Sequence, residues 1–234
     1  MKHLLIIFAH LSCLSLLAQS NQLSNSQTYR NNIGRSDMFH SFVRTIPPMQ
    51  EKDIGSSFIL NEFTNAEVFL KTIADTLFVD LANYDSKTKT LIFQDNGAYK
   101  AIPRNILREF KLANRYFINS SELADYPDPI PVFLEQVHNE KNVSLFIDYE
   151  VNVVAPNYNV ALNVGSKSAK VSTEETFHLR MNDQWFLNFT FKKKYIKDNF
   201  DERSNDILAF AKKEKLQDSI DDIKKLADFL VENN

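Results

Sequence analysis

Thr76-Leu77-Phe78-Val79-Asp80-Leu81-Ala82-Asn83-Tyr84, the polar run Asp85-Ser86-Lys87-Thr88-Lys89, then Thr90-Leu91-Ile92-Phe93 and Asp95-Asn96-Gly97 together decide the fold class. In the first segment Leu77, Val79 and Leu81 fall on one face, with Phe78, Asp80 and Ala82 on the other. That is the two-residue period of a β-strand. The polar run separates it from a second strand, and Gly97 supplies a turn residue that tolerates positive φ. Strand, turn, strand, turn is the rhythm of a meander of hairpins.

Working outward, the same rhythm continues through Glu109 to Leu112, Tyr116 to Ile118, Val132 to Val137 and Val143 to Val154. Tyr126-Pro127-Asp128-Pro129 is an irregular break. Residues 155–172 read as a polar loop or weakly paired excursion, after which strand character returns at Thr173 to Arg180 and Gln184 to Phe191, across Met181-Asn182-Asp183. The expectation is an α+β chain that is mainly antiparallel β. It would be a sandwich or barrel-like meander of roughly nine or ten strands with no amphipathic helices between them. The 19 phenylalanines against a single tryptophan fit pleated, half-buried surfaces.

Past residue 200 the period changes. Asp206 to Leu216 places Ile207, Leu208, Phe210 and Ala211 at helical spacing, and Ser219 to Val231 does the same with Ile220, Ile223, Ala227 and Leu230. Ser219 with Asp222 three residues on resembles a capping box, and Asp221 and Asp222 suit the positive end of the helix dipole. The tail is therefore expected to be a helical hairpin whose apolar stripes pack on the β domain.

The N-terminus reads as an export signal. Lys2 precedes an apolar stretch from Leu4 to Leu17, too short for the roughly 20 apolar residues of a bilayer span. Ala18-Gln19-Ser20 then offers small residues for cleavage between Ser20 and Asn21. The organisation predicted is a signal peptide over 1–20, a flexible leader over 21–55, a β-rich domain over 56–191 and a helical tail over 192–234. Cys13, the only cysteine, lies inside the signal; the apolar sequence running past it to Leu17, with His10 just before it, disfavours a lipidation site. Removing the signal leaves no thiol for disulfides, metal ligation or nucleophilic catalysis. It also leaves 26 of the 27 basic residues against 30 acidic ones, a net charge of −4. Such a surface has no basic footprint for nucleic acid.

Catalytic patterns are sparse. The four glycines (Gly34, Gly55, Gly97, Gly165) stand far apart, so no phosphate-cradling loop is present. His40, His138 and His178 are isolated, without the paired spacing of a metal site, and read as surface or strand-edge residues; His178, between Phe177 and Leu179, reads as solvent-facing. No Gly-x-Ser-x-Gly elbow occurs. Asp148 and Glu150 flank Tyr149 on one face of a strand, a spacing usable by a hydrolytic carboxylate pair but ordinary on a wet strand face. Lys192-Lys193-Lys194 falls short of the clusters of 4 to 8 that mark lipid binding and reads as a solvated boundary. Trp185, beside Phe186, is the one aromatic to inspect for ligand stacking, with packing the plainer expectation. No catalytic, cofactor-binding or metal residue is assigned, and no cofactor is expected.

Leu16-Leu17-Ala18-Gln19-Ser20, Asn114 to Asn119, Val143 to Tyr149, Ile207 to Leu216 and Asp221-Asp222-Ile223 give the chain a resemblance to a group of exported proteins of Bacteroidetes-type bacteria. The resemblance implies a β-rich body followed by a short lysine-rich helical tail, and it implies no activity or site residue. The expected function is a non-enzymatic binding or interaction protein of the cell envelope, periplasmic or outer-membrane-associated. Its partner would be an envelope protein or glycan, and no integral span would remain after signal cleavage. Two alternatives are an envelope hydrolase acting on glycan or peptide through Asp148 and Glu150, and a small outer-membrane β-barrel.

Overall fold

The computed structural model describes residues 43–46, 56–72, 76–130, 132–158 and 162–233. The signal peptide, Cys13, the cleavage site at Ser20 and Asn21, His40 and most of the leader lie outside the described residues. The strands are β1 (Arg44–Thr45), β2 (Thr64–Leu70), β3 (Thr76–Asp85), β4 (Thr90–Asp95), β5 (Ala98–Ile102), β6 (Leu107–Leu112), β7 (Arg115–Asn119), β8 (Phe133–Glu140), β9 (Val143–Val154), β10 (Lys170–Met181) and β11 (Gln184–Phe186). Three helices follow: α1 (Lys193–Asn199), α2 (Ser204–Glu214) and α3 (Ile220–Glu232).

All eleven strands form one antiparallel sheet in the order β1-β5-β4-β3-β2-β6-β7-β8-β9-β10-β11. Two meanders run outward in opposite directions from a shared centre, where β2 meets β6. The mainly antiparallel α+β class is as expected. Among the described residues the meander is one open, curled sheet, with β1 and β11 at its edges and no closure into a barrel. Between β4 and β5 the register pairs Asp95 with Ala98 across Asn96 and Gly97, both at positive φ (51° and 77°). That is the two-residue turn whose twist matches the flanking strands.

Leu81 departs from the expected alternation. Leu77 and Val79 point into the core, but a register shift between β2 and β3 follows, and Leu81 takes φ 50° and is 46% exposed. Ala82 and Tyr84 are then buried instead. The extra residue of a bulge inverts the facing of everything beyond it, which simple period counting does not register.

The core occupies the inner face of the curled sheet. Tyr84, Phe110, Phe117 and Phe133 form a buried aromatic cluster in which the rings of Phe110 and Phe117 stack at 4.7 Å. The tail closes over the β8–β9 side, with Ile207 of α2 and Ile223, Leu226, Ala227 and Leu230 of α3 buried in the same core. Ser219 caps α3 as expected, its hydroxyl accepting from the Asp222 amide at 3.4 Å. The expected hairpin is α2 and α3. Helix α1 is additional, and it buries Ile196 while Lys192, Lys193 and Lys194 stay in solvent.

The sheet curls until the turn between β3 and β4 reaches β9, although four strands lie between β3 and β9. Residues 56–60 run along the end of β3, the Ile59 amide donating to Tyr84 O at 3.1 Å and the Ser86 amide to Ser57 O at 2.9 Å. These approaches converge on the middle of β9.

Candidate functional site

β8 pairs with β9 only as far as Glu135 opposite Ile147, while β10 follows β9 to its end. Asp148 and Tyr149, the first residues past that point, face opposite sides of the sheet. Each anchors a charged cluster.

On the inner side Tyr149 meets Arg115 of β7 and Glu135 of β8. Arg115 grips Glu135 with two bonds, Nε to Oε1 at 3.0 Å and Nη2 to Oε2 at 2.6 Å. The Tyr149 hydroxyl donates to Glu135 Oε2 at 2.5 Å and accepts from Arg115 Nη2. Arg115 Nη1 also donates to Ile59 O at 3.3 Å, and the guanidinium lies 5.3 Å from the Phe117 ring centre and 5.0 Å from that of Tyr149. Burial, reinforced by the bond to Glu135, raises the Tyr149 pKa far above its ordinary value. Burial works against the Arg115 charge, but the hydrogen bonds and charges of Glu135 and Tyr149 outweigh it and raise its pKa. A cavity of about 310 Å³ opens beside the cluster, lined also by Phe58, Thr173, Glu175 and Ile220.

This arrangement locks strands together. Both Glu135 oxygens are taken by Arg115, and Tyr149 keeps its proton across the physiological range. The bidentate geometry ties β7, β8 and β9 to residues 56–60 in one network.

On the outer side Lys89, from the β3–β4 turn, places Nζ 2.6 Å from Asp148 Oδ1 and 2.7 Å from Tyr149 O. The carbonyl it caps lies just beyond the reach of β8. Asp148 and Glu150 both line a cavity of about 320 Å³ with Lys87 and Lys89, so the structure does bring the expected carboxylate pair to one space. Their environments differ, however. Asp148 is buried against Lys89, contrary to the wet face expected for it, whereas Glu150 is exposed and sits opposite Glu174.

His178 is a second correction. It lies opposite Phe146 on the outer face, yet it is only 5% exposed. Residues 123–126 fold over this face: Tyr126 meets His178 edge-on at 6.3 Å and Trp185 at 5.0 Å, and Trp185 donates Nε1 to Ala124 O at 3.0 Å. The His178 Nδ1 accepts from the Asn188 amide at 3.2 Å. Burial, with Lys89 adding and Asp148 opposing, lowers the His178 pKa to about 4. Trp185 is thereby packed against Tyr126 and Phe146, not held out as a stacking platform. His138 lies 3.6 Å from Asp228 of α3. Among the described residues no three His, Cys, Asp or Glu side chains gather as metal ligands, and no helix is long and apolar enough to cross a membrane.

Arg115, Glu135 and Lys89 belong to no recognisable catalytic or binding motif in the sequence. Glu135 did carry a signal: it follows Phe133 by two residues and so places a charge on an apolar face, which demands a partner. Lys89 carried none, since its partner is 59 residues away and found only when the sheet curls.

Beyond Tyr149, β9 and β10 continue as a two-stranded ribbon, with Val154 opposite Lys170 at its end. Among the described residues neither edge of the ribbon carries a third strand. Val153, Val154, Leu162 and Val164 are 46%, 54%, 69% and 55% exposed, four of the six exposed large apolar residues described. Near the tip Asn157 and Ser166 pair, the Asn157 amide donating to Ser166 O at 3.1 Å and Asn157 Oδ1 accepting from the Ser166 amide at 2.8 Å. Gly165, at φ 97°, is required there, because a Cβ would lie 2.5 Å from Asn157 O. Lys167 sits over the Tyr158 ring at 4.5 Å.

Compared with known proteins, the chain matches no family profile, no curated protein and no solved structure.

Proposed function

We propose that this chain is an exported, non-enzymatic interaction protein of the bacterial cell envelope, making its contacts through the ribbon of β9 and β10. The observation that carries this reading is the collection of exposed apolar side chains at the ribbon tip, on an element that runs past the end of β8 and, among the described residues, has no third strand on either edge. Exposed apolar side chains gathered at one end of a folded domain mark contact sites. The export-like character of residues 1–20, a remainder without cysteine and the resemblance to exported envelope proteins support the compartment. The mutual pairing of Arg115, Glu135 and Tyr149, and of Lys89 with Asp148, favours a binding role over hydrolysis by the carboxylates of the two clefts.

Fractionation of the native cells tests this. The wild-type protein is expected in the envelope fraction, and a chain with Val153→Ser, Val154→Ser and Leu162→Ser is expected to shift toward the soluble periplasmic fraction. Recovery of the wild-type protein only from the cytoplasm overturns the compartment, and unchanged fractionation of the variant overturns the role of the ribbon.

A further inference from the structure

We infer that the ribbon tip is a lipid-surface contact, dipping Val153, Val154, Leu162 and Val164 into the interface of an anionic leaflet and setting Lys167 and Lys170 on its headgroups. This rests on the ribbon being the contact element and names what it touches. The first support is geometric. Val153 and Val154 are neighbours on one strand and so face opposite sides of the ribbon, yet both are about half exposed. A flat protein surface laid against the ribbon would cover one of them. Immersion of the tip end-on covers both, together with Leu162 and Val164.

The second support is charge. The chain carries 30 acidic residues in 234, yet none occurs from Val151 through Thr173, where the only charges are Lys167 and Lys170. The nearest carboxylates along the two strands, Glu150 and Glu174, stand at the root. Glu174 accepts from Asn152 Nδ2 at 3.1 Å, so its carboxylate is held by a ribbon amide, and beyond Asn152 the only charges are those of Lys167 and Lys170. The ribbon is thus acidic at its root and basic at its apolar tip, which suits a negatively charged surface met tip first. Tyr158, held under Lys167, adds an aromatic of the kind that settles at headgroup level.

Flotation of the protein purified from its native cells, with vesicles of phosphatidylglycerol and phosphatidylcholine in equal parts or of phosphatidylcholine alone, tests the inference. The protein is expected to float with the anionic vesicles. Lys167→Gln with Lys170→Gln is expected to weaken partitioning about 30-fold, from two lysines near an anionic surface. Val154→Ser with Leu162→Ser is expected to weaken it at least about tenfold, with circular dichroism unchanged. All these proteins share one N-terminus, so the differences report the ribbon alone. Equal flotation of wild type and variants overturns the inference, as does absence of flotation with either vesicle. If the protein does not float but the chain with Val153→Ser, Val154→Ser and Leu162→Ser still leaves the envelope fraction in cells, the lipid contact fails while the interaction reading stands. If that variant also fractionates normally, both fail. A fall in molecular mass by light scattering on Val154→Ser with Leu162→Ser, without vesicle binding, assigns the tip to a second copy of the chain and overturns the lipid contact.

Discussion

The two halves of β9 have similar composition and opposite fates. Val143-Ser144-Leu145-Phe146-Ile147 lies between β8 and β10 and is buried at four of its five positions, whereas Val151-Asn152-Val153-Val154 has β10 alone and is exposed at three of four. Both halves read as strand, and both are rich in aliphatic residues. The difference lies in their neighbours: the first half has a strand on each edge, a core below and an aromatic cover above, while the second has one partner. Burial is therefore a property of the surroundings of a strand, not of its alternation. An apolar strand segment with fewer neighbours is where an interaction surface is to be sought.

Equivalent truncations in the two halves are expected to differ most. Ile147→Ala, in a site with no solvent exposure, is expected to cost about 4 kcal/mol through lost transfer energy and the cavity left behind. Val153→Ala is expected to change stability by less than about 0.5 kcal/mol. Urea denaturation of both variants measures this. Costs of similar size would show that the ribbon is as well packed as the body.

A somewhat smaller effect is expected at the covered outer face. His178 titrates at 6.5 when unfolded and near 4 when folded, so between these values the unfolded chain binds more protons and stability falls as pH is lowered. The contribution is fully present above about pH 6.5 and is lost on approaching pH 4, a loss of about 3 kcal/mol. His178→Gln is expected to flatten this part of the stability-against-pH curve, whatever its effect at neutral pH. An unchanged slope would mean that Tyr126, Trp185 and Asn188 do not shield the ring from water.

The antiparallel class, the Asn96-Gly97 hairpin and the helices α2 and α3 were legible in the sequence because each rests on contacts between near neighbours in the chain. Period two, a positive-φ turn residue and apolar spacing of three and four are local facts. The bulge at Leu81 was not legible, since an inserted residue preserves the composition of a strand while reversing its facing. Burial of His178 required residues 123–126 to fold back over β10, and the Lys89–Asp148 pair required four intervening strands to curl. Glu135 was legible in principle as a charge in step with Phe133. Its partner was not, because choosing Arg115 needs the diagonal across β7 and β8.

The smallest expected effect bears on whether the two halves of β9 unfold together. Gly165→Ala puts a Cβ against Asn157 O in a backbone conformation that L side chains resist, a strain of about 1–2 kcal/mol. The strain can be released by opening the tip, so its cost to the folded body cannot exceed the free energy of that local opening. Little is buried at the tip, and the opening free energy is correspondingly low. Global stability by urea is therefore expected to fall by less than about 1 kcal/mol. Hydrogen exchange, by contrast, is expected to quicken at the Asn157 and Ser166 amides, and to stay unchanged at Leu145 and Ile147. Faster exchange throughout β9 would mean that strain at the tip is carried into the core and that ribbon and body are one cooperative unit. Faster exchange confined to the tip would mark residue 149, where Arg115, Glu135 and Tyr149 are clasped, as the boundary at which the opening stops.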